Sequence, residues 1–159
     1  MYYKVEFNSV IRGHHVYKEC WTPIMGETVL ARKDTREEAI EYDKYAIGIF
    51  KKQEKLVGHI PIELSQLIYH FLNESNENFI EASVSGKRKR EIGLVVPAKY
   101  VAFTKSKRMA NILQSELKNK KGKYGLLTLE IITERIYKLP YFRKQNKSVN
   151  EIKKEDKSD

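Results

Sequence analysis

The chain has a single cysteine, Cys20, among 159 residues, so it cannot form an internal disulfide or a zinc site built from several thiolates. It lacks an apolar run long enough to cross a bilayer, and Met1-Tyr2-Tyr3-Lys4-Val5 does not have the pattern of a signal peptide. A soluble intracellular protein, nuclear or cytoplasmic, is expected, with no membrane partner. It has no phosphate-cradling Walker loop, no Gly-x-Ser-x-Gly elbow and no Cys-His pairing. These absences remove the usual signs of ATPase, esterase and thiol chemistry and argue against an enzyme. No cofactor and no metal are expected.

The hydrophobic fraction is 41%, with tyrosine and phenylalanine prominent, which predicts a folded globular chain rather than a disordered one. Its length suits one domain large enough to bury its own core. Thirty basic residues against 21 acidic ones give a net charge of +9, which makes a polyanion the expected charged partner. The alternative is a basic surface that is merely solvated.

Short strands dominate the pattern. Tyr3, Val5 and Phe7 alternate with polar residues, and an extended course is expected to continue from Val10 to Tyr17 past Gly13. Further strands are predicted over Glu27–Arg32, Tyr45–Phe50, Leu56–Ile60, Phe79–Ser85 and Leu94–Phe103, with Pro97 limiting the pairing of the last or placing it at an edge. Lys33–Glu41 is a charged connection with room for one helical turn. Leu64, Leu67, Ile68, Phe71 and Leu72 recur at helical spacing behind Pro61, and Met109, Ile112, Leu113 and Leu117 predict a second helix from about Ser106 to Asn119. Leu126–Ile132 is a strand or a helix, and the chain from Tyr141 onward is expected to be a disordered charged tail.

Two dipeptides carry the functional reading: Tyr42-Asp43 ahead of one strand, and Gly58-His59 at the end of the next. With Ala46-Ile47, Leu56-Val57 and the helix after Pro61, they give the stretch from Val10 to Phe103 a pattern that resembles the HIRAN domain family. The resemblance implies a mainly β fold with two or more helices: a small OB-like antiparallel barrel of about six strands over residues 1–104. A helical and strand extension over 105–140 and a flexible tail over 141–159 would follow. It also implies a non-catalytic module that captures the 3′-hydroxyl end of single-stranded DNA and works beside a helicase, nuclease or repair factor.

In that reading Tyr42 stacks on the last base or donates its hydroxyl to a phosphate, Asp43, set within an otherwise positive site, accepts a hydrogen bond from the terminal hydroxyl and repels a phosphate, and His59 donates a hydrogen bond to the backbone of the strand. Tyr17 or Lys18 falls near the family's early Arg-Tyr pair. Lys87-Arg88-Lys89-Arg90 offers a basic loop for phosphates, a nuclear localisation signal or a solvated hairpin tip. The sequence departs from the family where Ala39, Ile40 and Glu41 replace amide-bearing residues, where Ile62 replaces a lysine and where Leu94 replaces an aromatic.

Each of these residues also has a structural reading. Tyr42-Asp43 could simply turn the chain, His59 could be a strand-end residue satisfied by backbone, and Trp21 could plug the barrel rather than stack a base. His14 and His15, on an extended segment, would point to opposite faces and form no metal site with Cys20. Two rival functions remain. A metal-dependent nuclease would use Glu116-Leu117-Lys118 with Asp34, Glu37, Glu38 or Asp43. A protein-interaction adaptor would dock an acidic partner on the second helix and tail.

Overall fold

In a computed structural model, residues 2–52, 55–91, 93–121 and 128–136 are described. The first strand, β1 (Tyr2–Ile11), is followed by the one-turn helix α1 (His14–Tyr17), β2 (Thr28–Lys33) and the short helix α2 (Glu37–Tyr42). Then come β3 (Ile47–Lys51), β4 (Lys55–His59), α3 (Ile62–Glu74), β5 (Phe79–Val84), β6 (Lys89–Glu91), β7 (Gly93–Thr104), α4 (Lys107–Lys121) and β8 (Thr128–Ile136). No helix among the described residues is long and apolar enough to cross a membrane.

Every strand pairing is antiparallel, in the order β4-β3-β2-β5-β7-β1-β8, with β6 folded back on β7. The mainly β class with helices is therefore as expected, but the sheet is not a closed barrel. It curls until its β4 edge touches the end of β1, one strand in from the β8 edge, at an isolated bridge, Arg12 with His59. Arg12 N–H donates to His59 C=O at 2.8 Å and His59 N–H donates back to Arg12 C=O at 3.0 Å. Gly58 permits that approach. A Cβ there would lie 2.6 Å from Ile11 Cγ2 and 2.7 Å from the Arg12 carbonyl oxygen, closer than atoms can pack.

The core fills the hollow of the curl. Val5, Phe7 and Ile11 from β1 meet Ile49, Val57, Ile80, Val96 and Tyr100, all essentially buried. The rings of Phe7 and Tyr100 stack with centroids 5.1 Å apart, and the Tyr100 hydroxyl donates to the Val10 carbonyl at 2.8 Å. Burial pushes that phenol well above its ordinary range. The expected helical face of α3 turns Leu64, Ile68 and Phe71 inward, and Ala110, Leu113 and Leu117 do the same on α4. Each such large side chain contributes about 1.5 to 3 kcal/mol by leaving water. Trp21 is buried in the same cluster, with its indole N–H donating to Glu27 at 3.0 Å, so its plug reading holds.

Several local expectations are corrected. The extended run from Val10 to Tyr17 stops at Gly13, whose φ of 82° turns the chain into α1, so His14 lies on a helix rather than a strand. Pro97 sits on a central strand, not an edge: β7 pairs with β1 on one side and β5 on the other. Its carbonyl accepts from Ser85 N–H at 2.9 Å, so its missing donor points past the end of β5 and costs β1 nothing. Of the undecided stretch Leu126–Ile132, the part from Thr128 on falls in β8, which lengthens the sheet at β1, while residues 126 and 127 and the predicted tail over 141–159 lie outside the described residues.

Gly58→Ala should cost about 1 to 3 kcal/mol by overpacking, read as a lower urea midpoint with an unchanged slope. A midpoint equal to the parent's would show that the β1–β4 junction is slack.

Candidate functional site

The segment from Asp34 to Ala46 builds one wall of a cleft. Tyr42 is the last residue of α2, and Asp43 caps that helix, its backbone N–H donating to Ala39 C=O at 2.9 Å. The dipeptide therefore ends a helix rather than opening a strand. Tyr42 is left 84% exposed, an aromatic face with no packing duty. Asp43 has structural partners: Oδ1 accepts the Tyr45 N–H at 2.9 Å and Oδ2 accepts the Ser65 hydroxyl at 2.7 Å. Its turn role is thus real, yet each carboxylate oxygen keeps a lone pair and the group lines the cleft.

His59 stands opposite, at the end of β4. Its Nε2 lies 2.8 Å from Asp34 Oδ2, and the Asp34 side chain is only 1% exposed. Asp34 also accepts from Arg36 Nε at 3.0 Å, from Arg36 Nη2 at 2.9 Å and from the Arg36 backbone N–H at 3.2 Å. Burial alone would raise the Asp34 carboxyl. The hydrogen bonds from Arg36 and His59, with the Arg36 charge, outweigh it and hold the group below its ordinary 3.8. An ionised carboxylate can only accept, so the His59 proton sits on Nε2 and faces inward.

The cleft encloses about 390 Å³. One side is apolar, from Ala39, Ala46, Ile47, Ile60 and Ile62, and the polar groups that converge on it are Arg12, Arg36, Glu38, Asp43, His59 and Ser65, with Tyr42 at the rim. The expected cationic setting for Asp43 is not found here. Arg12 is paired with Glu63 at 3.4 Å, and Arg36 with Asp34 at 2.9 Å and Glu38 at 3.3 Å. The positive excess lies elsewhere: from Lys105 onward the chain holds half of its lysines and arginines but only a third of its acids.

The other sequence candidates border the cleft or stand apart from it. Tyr17 is half-buried, 4.0 Å from where a Gly13 Cβ would be, the same distance as His59 Nδ1, and Lys18 is exposed at the end of α1. Lys87 and Arg88 are exposed, Lys89 and Arg90 begin β6, and Arg88 Nη1 reaches His14 Nε2 at 3.3 Å, so the basic hairpin sits over α1. His14 is fully buried beside Trp21, while Cys20 is exposed. Among the departures, Ala39 and Ile62 line the cleft and Leu94 is half-buried on β7. Arg12, Arg36 and Ser65 were not foreseen, and Asp34 was noted only as a nearby acid. No spacing rule links Asp34 to His59 across 25 residues.

One comparison matches this arrangement of strands. The chain shares its fold with the HIRAN domain of human HLTF. The TM-score is 0.54 at 18% identity, covering 74% of this chain and 91% of that one. No family model matches the chain, and no curated protein matches it in sequence. The cleft lies where the β4 edge meets the end of β1, between α2 and the start of α3.

Asp34 contributes stability that is complete above about pH 4 and is lost as pH falls through its depressed value. Asp34→Asn should cost about 1 to 3 kcal/mol at neutral pH, because it strips the partners from His59 and Arg36. It should also flatten the loss of stability measured by urea unfolding as pH falls below about 4. Parallel losses in the parent and the variant would assign acid sensitivity to other carboxylates.

Proposed function

We propose that the cleft receives the end of a single-stranded nucleic acid, single-stranded DNA with a free 3′-hydroxyl, and that the chain binds this end without chemistry of its own. The observation that carries the reading is the convergence of Tyr42 and Asp43, at the C-terminus of α2, with His59, at the end of β4, on one cleft with an apolar wall. Ion pairing leaves the cleft with little excess positive charge. That suits a terminal nucleoside and suits a run of phosphates badly.

Tyr42 supplies the stacking face, worth about 1 to 3 kcal/mol for one base. Asp43 accepts from the hydroxyl and turns away a terminal phosphate by like-charge repulsion. His59, its Nε2 proton held by Asp34, offers Nδ1 to the ligand as an acceptor while the ring is neutral, in place of the donor role expected from sequence. Tyr17, Lys18 and the Lys87–Arg90 hairpin border the same end of the molecule across α1. The likeness to the HIRAN domain of human HLTF supports the fold on which this reading rests. A helicase, nuclease or repair factor would supply catalysis beside it.

The nuclease alternative fits less well. Asp34 is committed to Arg36 and His59, and Glu116 and Lys118 stand two residues apart on α4, so they diverge around the helix.

Asp43→Asn keeps the shape and the acceptor but removes the charge. Its preference for a 3′-hydroxyl over a 3′-phosphate oligonucleotide should fall about tenfold or more, the equivalent of about 1.5 to 3 kcal/mol, in a fluorescence titration. Tyr42→Ala should weaken both ligands by about 1 to 3 kcal/mol. If neither change moves binding while both variants melt like the parent, the cleft is not the site.

A further inference from the structure

The paired arginines of the cleft leave open where the phosphates of a bound strand would go. We infer that the exposed face of α4, carrying Lys107, Arg108 and Lys118, is a second contact surface for the sugar-phosphate backbone of a single strand. The inference rests on the reading that a strand end occupies the cleft.

Around a helix of 3.6 residues per turn, Lys107, Asn111 and Lys118 fall on one stripe, and Arg108, Ser115 and Asn119 lie beside it. All six are exposed or partly exposed and none is acidic, while Glu116 sits toward the opposite edge. Lys107 and Lys118 stand roughly 16 Å apart along the axis. Among the described residues, neither they nor Arg108 has an ion pair, in contrast with Arg12 and Arg36.

Helix stability does not account for the placement. The first turn of α4 contains no acid but holds two cations at the positive end of the helix dipole, where each is unfavourable. The face is rigid, because Ala110, Leu113 and Leu117 anchor the other side of α4 in the core. It is also within reach of the cleft. Ile62 and Ser65 at the start of α3 line the cleft, and Leu67, His70, Phe71 and Glu74 further along α3 line a pocket with Arg108 and Met109. From Ile62 to Phe71 the axis of α3 runs roughly 14 Å. The Lys87–Arg90 hairpin is the weaker candidate because Arg88 is engaged by His14 and Lys89 is also engaged.

The test uses the full chain with Lys107→Gln, Arg108→Gln and Lys118→Gln combined, titrated with a single-stranded DNA trinucleotide and a long single-stranded oligonucleotide, each ending in a 3′-hydroxyl. For the long ligand the triple variant should lose at least tenfold in affinity, and its salt slope should shrink by about 0.7 per lost phosphate contact, about two in all. Trinucleotide binding and the preference for a free hydroxyl should not change. An unchanged slope on the long ligand, or a slope that shrinks instead in a Lys87→Gln/Arg90→Gln variant, overturns the inference and leaves the cleft reading standing. Loss on the long ligand without any end preference in the parent supports the α4 face and sinks the cleft reading. Binding to an acidic peptide, but to neither oligonucleotide, overturns both.

Discussion

Everything placed at the cleft depends on one backbone contact, the pair of hydrogen bonds by which Arg12 and His59 tie the end of β1 to the end of β4. The sheet has no continuous ladder at this point, so two bonds and the missing side chain of Gly58 do what a full strand pairing does in a closed barrel. The same contact delivers Arg12 and His59 to the cleft from strands far apart in the sheet order. A Gly-His step thus has a divided role: the glycine allows the backbones to touch, and the histidine faces the space that results.

Asp34 is the second constraint. A carboxylate with 1% of its side chain exposed would be costly if left alone, and its partners are two residues that line the cleft, Arg36 and His59. The burial that makes Asp34 need partners also fixes the His59 tautomer and draws Arg36 inward. Local charge is thereby spent on structure. The outcome is a polar, nearly balanced cleft on a protein of net charge +9.

Much of the scaffold was legible because it rests on local periodicity. Alternation marked β1, and the spacing of Leu64, Ile68 and Phe71 marked α3, since a repeat of two or of 3.6 residues directly reports which side of an element meets the core. Reading failed where one residue overrode the pattern. Gly13 took a left-handed conformation and put His14 on a helix, and Pro97 occupied a central strand by turning its absent N–H past the end of β5. Tyr42-Asp43, expected ahead of a strand, ends a helix instead, which exposes the tyrosine and leaves the aspartate as the cap.

By itself the sequence determined most of the strands and the two long helices, their buried faces, the near absence of cysteine chemistry and the basic balance, because each of these is a property of neighbours along the chain or of a sum over it. Only the tertiary structure decided that Arg12, Asp34, Asp43 and His59 would meet, and that the cleft arginines would already be neutralised. Charge compensation depends on separation in space, falling off over a few ångströms, and 25 residues of sequence between Asp34 and His59 become 2.8 Å only when β2, β3 and β4 pair side by side.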